Sequence, residues 1–190
     1  MELLDQHRRA MAEFDQRVQL VPEDRWHVGT PCEAWDAREL VNHVVVEQLW
    51  VPHLVAGETL EEVGDRYDGD QLGDDPAAAW SEAARAAREA IVAPGALDGT
   101  VHTSMGPLSA VEYVRQLTMD LAIHAWDLAR AVSLDEELDP ELVEELYRVW
   151  SARADELAAS GVFGPPVEVS GDAELQTRLL ALTGRDPRRV

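Results

Sequence analysis

The sequence predicts an all-α protein built on a four-helix bundle, with a short hairpin or extended segment and a short C-terminal helix as appendages. Three observations carry this reading. Apolar residues recur at three-and-four spacing in several long stretches. Each stretch is bounded by helix caps or by proline and glycine. Only Thr100–Leu108 reads as a hairpin or extended segment, with β-type residues flanking a turn. The scarcity of strands excludes Rossmann-type and barrel enzymes, and no phosphate-binding glycine loop is present.

The first helix spans about Leu3 to Leu20, with apolar positions Leu3, Leu4, Met11, Phe14 and Val18, and Val21-Pro22 ends it. A loop containing Trp26 and His27 leads to Thr30-Pro31-Cys32-Glu33-Ala34-Trp35-Asp36. Asp36 with Glu39 reads as a capping box, starting a helix to about Trp50, where Pro52 predicts a bend or stop. The glycine-rich, acidic stretch Glu58–Asp75 predicts a long mobile connection, and connections of this length are often lids or binding loops. Asp75-Pro76 opens an alanine-rich helix to Val92, and Pro94-Gly95 closes it. After the hairpin segment, Ser109 and Glu112 form a second capping-box pattern and start the longest helix. Asp139-Pro140 opens a helix to about Ala159. Gly164-Pro165-Pro166 opens an extended tail, and Asp172–Thr183 is a last short helix. A length of 190 residues predicts one domain over 1–190.

The charge balance is 16 − 37 = −21, and every basic residue is arginine. Such a surface repels phosphate backbones and anionic lipid, so nucleic acid and membrane are poor partners. No window reaches the 18 or more uncharged apolar residues of a membrane span. The N-terminus lacks the apolar run of a signal peptide, so a cytoplasmic protein is expected. Cys32 is the only cysteine, which rules out an intramolecular disulfide and any cysteine-based zinc motif. A bundle of this class leaves a homodimer open.

Chemistry concentrates on two helices. Asp120 and His124 are four residues apart on the longest helix and project from one face. They can be a simple ion pair or two arms of a metal site. On the second helix His43 shares a face with Leu40, Val44 and Glu47, and points inward or into a cleft. Inward side chains on facing helices are how bundles build metal sites. His43, Asp120 and His124 would leave an open coordination position, the layout of a catalytic centre. Nitrogen and oxygen donors suit zinc, nickel, iron or manganese. Glu47, one turn from His43, is a candidate fourth ligand, supporting acceptor or general base.

Other residues read more simply. Asp127 reads as a surface residue or a partner for Arg130. Cys32 reads as a small buried apolar residue, because helix rise alone separates Asp36 from His43 by about 10 Å. Trp35, Trp50, Trp80, Trp126 and Trp150 fit apolar helix faces. His7, His27, His53 and His102 lack a partner at ligand spacing, and His53 stands where it could line a cleft mouth. Arg115 reads as a surface ion pair or an anion contact.

Three segments carry a family resemblance: Thr30-Pro31-Cys32-x-x-Trp35-x-x-x-x-Leu40-x-x-His43, Asp120-x-x-x-His124-x-Trp126-Asp127-Leu128-Ala129-Arg130, and Phe163-Gly164-Pro165-Pro166 with Gly184-Arg185-Asp186-Pro187. They resemble the actinobacterial metal-binding proteins of the DinB/YfiT-like superfamily. More narrowly, the chain is similar to the group related to the N-terminal domain of mycothiol-dependent maleylpyruvate isomerase. The resemblance implies a DinB-like four-helix bundle with a divalent metal, usually zinc or nickel, on His43, His124 and a carboxylate. Asp120 stands where that group carries Glu. It further implies a thiol cofactor such as mycothiol and an electrophilic substrate, hence a transferase or isomerase, for which Glu47 would be the supporting or acid/base candidate. The isomerase has a C-terminal domain contributing to its active site. This sequence is expected to lack it, so maleylpyruvate isomerisation itself is not expected. A metal- or ligand-binding protein without turnover, and a purely structural bundle, stay open as alternatives.

Overall fold

The computed structural model describes residues 1–33 and 35–188. The chain divides into two compact units, Glu2–Glu136 and Glu137–Val190, the latter joined by Met1.

The larger unit is a four-helix bundle. Its helices are α1 (Leu3–Val18), α2 (Ala37–Val55), α4 (Pro76–Val92) and α5 (Ala110–Val132), with a single turn of helix, α3 (Leu60–Val63), between α2 and α4. α1 packs on α5 and α4, and α2 packs on α4 and α5, so the four close a ring. Phe14, Trp80, Leu121, Ile123, Trp126 and Leu128 are fully buried in it. Each such side chain stabilises the fold by roughly 1.5–3 kcal/mol. α5 is buried on nearly every face between Leu117 and Ala129, the signature of a central helix. A two-stranded antiparallel hairpin, β1 (Thr100–Thr103) and β2 (Gly106–Ser109), pairs Val101 with Leu108 and leads directly into α5.

The caps act as the sequence predicts, with two differences. Asp36 and Glu39 form a full reciprocal capping box, whereas at Ser109 only the hydroxyl accepts, from Glu112 N–H. α2 does not stop near Trp50; it runs through Pro52 to Val55. Pro52 removes one hydrogen bond to the preceding turn, but buried Val51 and Leu54 hold the last turn in the core.

The connection after α2 is a fastened strap and not a free loop. Asn42 donates its amide to Gly69 O at 3.0 Å and accepts from Gln71 N–H at 2.7 Å. Arg38 bonds Asp70 and Gly73 O, both at 2.7 Å. His53 sits between Glu58 at 3.0 Å and the Tyr67 hydroxyl at 2.8 Å.

In the smaller unit the predicted helix from Pro140 breaks into α6 (Pro140–Ser151) and α7 (Ala154–Ser160). Arg153 leaves helical geometry at the break, stacks its guanidinium on Trp150 and pairs with Glu156. α8 (Leu175–Leu182) packs on both α6 and α7. The tail returns along α8, with Val167 N–H donating to Ala181 O at 2.9 Å. Gly184 has φ +82°, and a Cβ there would lie 2.9 Å from the Gly164 carbonyl carbon. Gly184→Ala is therefore expected to destabilise the chain by about 1–3 kcal/mol, read as a lower Tm; an unchanged melting curve would refute this account of the glycine pair.

His7 on α1 is fully buried, and its ring nitrogens have no hydrogen-bond partner among the described residues. Burial, assisted by the nearby charge of Arg88, pushes its pKa down to about 4. The unfolded chain, with an ordinary pKa of about 6.5, binds the proton first. Stability is thus unaffected above that pH, falls as pH drops toward about 4, and levels off below it. The total is about 3 kcal/mol. Urea unfolding at pH 7 and pH 4 should show this loss in the wild type and lack that share in His7→Leu.

Candidate metal centre

α2 and α5 bring the predicted ligands to one point. Asp120 Oδ2 lies 3.6 Å from His43 Nε2, and its Oδ1 lies 3.3 Å from His124 Nε2. The two imidazoles are 5.2 Å apart between centroids and nearly perpendicular. One donor atom from each residue falls within 4.8 Å of the others. Zinc–nitrogen and zinc–oxygen bonds of about 2.0–2.2 Å place neighbouring donors of a tetrahedral ion roughly 3.3–3.6 Å apart. The three side chains therefore offer a donor set that could close on a single divalent ion. Their side-chain exposures of 28% for His43, 18% for Asp120 and 4% for His124 put the open side of the centre at His43.

The charges of the site hold one another. Burial pushes the Asp120 carboxyl up, but the His124 and His43 imidazoles outweigh it and hold Asp120 below the usual carboxylate range. Burial likewise opposes charge on His124, yet Asp120 above all, with hydrogen bonds from its other neighbours, raises this imidazole well above its ordinary value. Without a metal the centre is an imidazolium–carboxylate pair, so an ion entering it displaces a proton. Glu47, half-buried one turn along α2, is raised by burial first and by the Asp120 charge second. The buried Tyr113 hydroxyl of α5 lies within the electrostatic reach of Glu47.

Three residues around the centre differ from the sequence reading. Asp127 is not a surface group: it is wholly buried, and its Oδ2 accepts from His124 Nδ1 at 3.0 Å. That bond fixes the ring so that Nε2 faces Asp120, the arrangement that orients metal-binding histidines. Arg130 instead pairs with Glu136 and stacks on Trp126. Cys32 is half-buried and is not a mere apolar filler, because its Sγ lies 3.4 Å from Asp127 Oδ2. Sγ, His124 Nδ1 and the Asp127 carboxylate form a second convergence of donor atoms within 4.8 Å, behind the first. Trp35 lies in the loop before α2 and stacks on the His43 ring at 4.6 Å, with His124 5.8 Å away.

The loop reaches the site because main-chain bonds fold it back. Ala37 N–H donates to Val28 O, Arg38 N–H to Trp26 O, and Thr30 N–H to Trp35 O. The i,i+3 spacing of His124 and Asp127 on a helix apolar all round was the sequence signal for the buried acid. The Thr30 hydroxyl also fastens the turn, accepting from Cys32 N–H and lying within hydrogen-bond reach of the Cys32 and Trp35 carbonyls, but this local chemistry does not signal that Cys32 and Trp35 meet the histidines. The remaining histidines stay apart from the centre: His27 pairs with Asp36 at 2.9 Å and His53 with the strap. Arg115 is an ion pair with Glu112.

Asp120→Asn removes the charge that raises His124. Imidazole titration by NMR on metal-free protein should show the His124 pKa falling toward or below its ordinary value of about 6.5. An unmoved value would mean that Asp120 does not control the ring.

Residues 7–129 match the family model described as the mycothiol maleylpyruvate isomerase N-terminal domain, a span that includes His43, Asp120 and His124. Two uncharacterized proteins from different strains of Mycobacterium tuberculosis are each 34% identical over 154 residues, covering 81% of this chain and 79% of theirs. Crystal structures of the mycothiol-dependent maleylpyruvate isomerase and of a histidine-to-alanine mutant of it superpose with a TM-score of 0.65. That likeness covers 85% of this chain and 73% of the other, at 17% identity; it demonstrates a shared fold. No helix among the described residues is long and apolar enough to cross a membrane.

Proposed function

The chain belongs to the mycothiol maleylpyruvate isomerase N-terminal-domain family, and from that premise we propose that it is a metal-dependent thiol transferase or isomerase using mycothiol. His43, Asp120 and His124 hold the divalent ion, zinc first with nickel as the alternative, as the family resemblance implies; the donors themselves suit both. The observation that carries this reading is the convergence of two imidazole nitrogens on the two oxygens of one carboxylate, at 3.6 and 3.3 Å. When bound, the ion lowers the pKa of a thiol at its open position, so that the nucleophilic thiolate is present at neutral pH.

The chain's own residues do the rest. Asp127 keeps the His124 Nδ1 proton away from the ligand side. Trp35 walls the face of His43 and restricts water there. Glu47 carries a carboxyl raised by its surroundings, which suits a group that takes a proton from the incoming thiol and returns it to the product. The substrate is a small electrophile. The −21 charge balance disfavours nucleic acid and anionic membranes as partners, and the protein is assigned to the cytoplasm as one domain.

Elemental analysis of protein purified without a histidine tag should give about one divalent ion per chain. His124→Ala should drop this to background, since removing one of three protein ligands dismantles the site. Equal metal content in both would sink the assignment of the centre. Metal-loaded protein that turns over no electrophile with mycothiol across a broad panel would leave a binding protein in place of an enzyme.

A further inference from the structure

The loop before α2 acts on both imidazoles of the centre. Trp35 lies on the His43 ring, and Cys32, three residues earlier, sits behind His124. Asp127 Oδ2 is approached by two donors, the Cys32 thiol at 3.4 Å and His124 Nδ1 at 3.0 Å. Asp127 is wholly buried, and a buried carboxylate needs donors on its oxygens. Two donors from separate elements, one from α5 and one from the loop, fix the rotation of the carboxylate about its own bond. The carboxylate in turn fixes the plane of the His124 ring, and that plane sets where Nε2 points.

We propose that Cys32 is a positioning residue of the centre: its S–H holds Asp127, Asp127 holds the Nδ1–H of His124, and Nε2 is thereby aimed at the point shared with Asp120 and His43. The metal part of this rests on the reading of the centre given above, whereas the hydrogen-bond chain exists without any ion. Cys32 takes no part in coordination or in reaction with the thiol. The S–H that it directs at Asp127 comes from a loop whose geometry is set by main-chain bonds to Val28, Trp26 and Trp35 and by the Thr30 hydroxyl.

Cys32→Ser and Cys32→Ala separate this role from simple space filling, because the two accounts rank them in opposite order. Serine keeps a donor, so positioning ranks serine above alanine. A small apolar filler would tolerate alanine and suffer from a hydroxyl in the same place. On metal-free protein, long-range proton–nitrogen NMR of the histidines should show a slowly exchanging His124 Nδ1–H in the wild type and Cys32→Ser. Faster exchange of that proton is expected in Cys32→Ala. Zinc affinity, by competition with a chromophoric chelator, should fall about 10-fold or more in Cys32→Ala and stay within about three-fold in Cys32→Ser, the range seen when groups supporting a metal-binding histidine are removed or kept. Alanine equal to or better than serine in the NMR readout overturns the inference. No zinc binding by the wild type, with the NMR order intact, overturns the metal reading and leaves the positioning of His124 standing.

Discussion

The carboxylate of Asp120 between the imidazoles of His43 and His124 is the constraint on which the rest of the bundle depends. A charge with only 18% side-chain exposure is costly without partners, and its partners sit on different helices. α2 and α5 must therefore stay in one register, since a slide of a single turn would move a histidine by about 5.4 Å. The apolar packing of Val44, Leu121 and Leu128, all fully buried, holds that register. Asp127 then settles the ring of His124 from behind. The site is accordingly a product of helix packing more than of loop conformation, which suits a centre that needs its donors held within fractions of an ångström.

Much of this was legible in the sequence, and for physical reasons. Helix starts at Asp36, Asp75 and Asp139 are written as side-chain caps, and caps are local chemistry. The pairing of His43 with Asp120 and His124 could be foreseen because helical spacing places residues on faces. Pro52 and the break at Arg153 were misjudged for the opposite reason: packing decides whether a weak point in a helix holds or gives. Val51 and Leu54 are buried and hold α2 together across Pro52, whereas Arg153 finds better partners in Trp150 and Glu156 outside helical geometry. Asp127 looked like a surface acid because Arg130 follows it at salt-bridge spacing, and only the all-round burial of α5 argued otherwise. Trp35 and Cys32 depend on a loop folded back by main-chain bonds and the Thr30 hydroxyl, and such short-range turn chemistry does not announce which helices the loop meets.

The replacement of glutamate by aspartate relative to the family's expected carboxylate has a structural answer. The shorter arm still reaches both histidines, with one oxygen turned to each. Glu47, one turn from His43 on α2, carries a carboxyl raised by burial and by the Asp120 charge. In the proposed centre Glu47 would stay free to exchange protons, as a general acid or base must.

The strap between α2 and α4 is attached to a large extent through its own main chain. Asn42 holds the carbonyl of residue 69 and the amide of residue 71, and Arg38 holds the carbonyl of residue 73. Those anchors recognise atoms that every amino acid possesses. Acidic side chains of the strap add to these anchors, Asp70 pairing with Arg38 and Glu58 with His53. Asn42 and Arg38 thereby tie residues 69–73 to the same helix that carries His43.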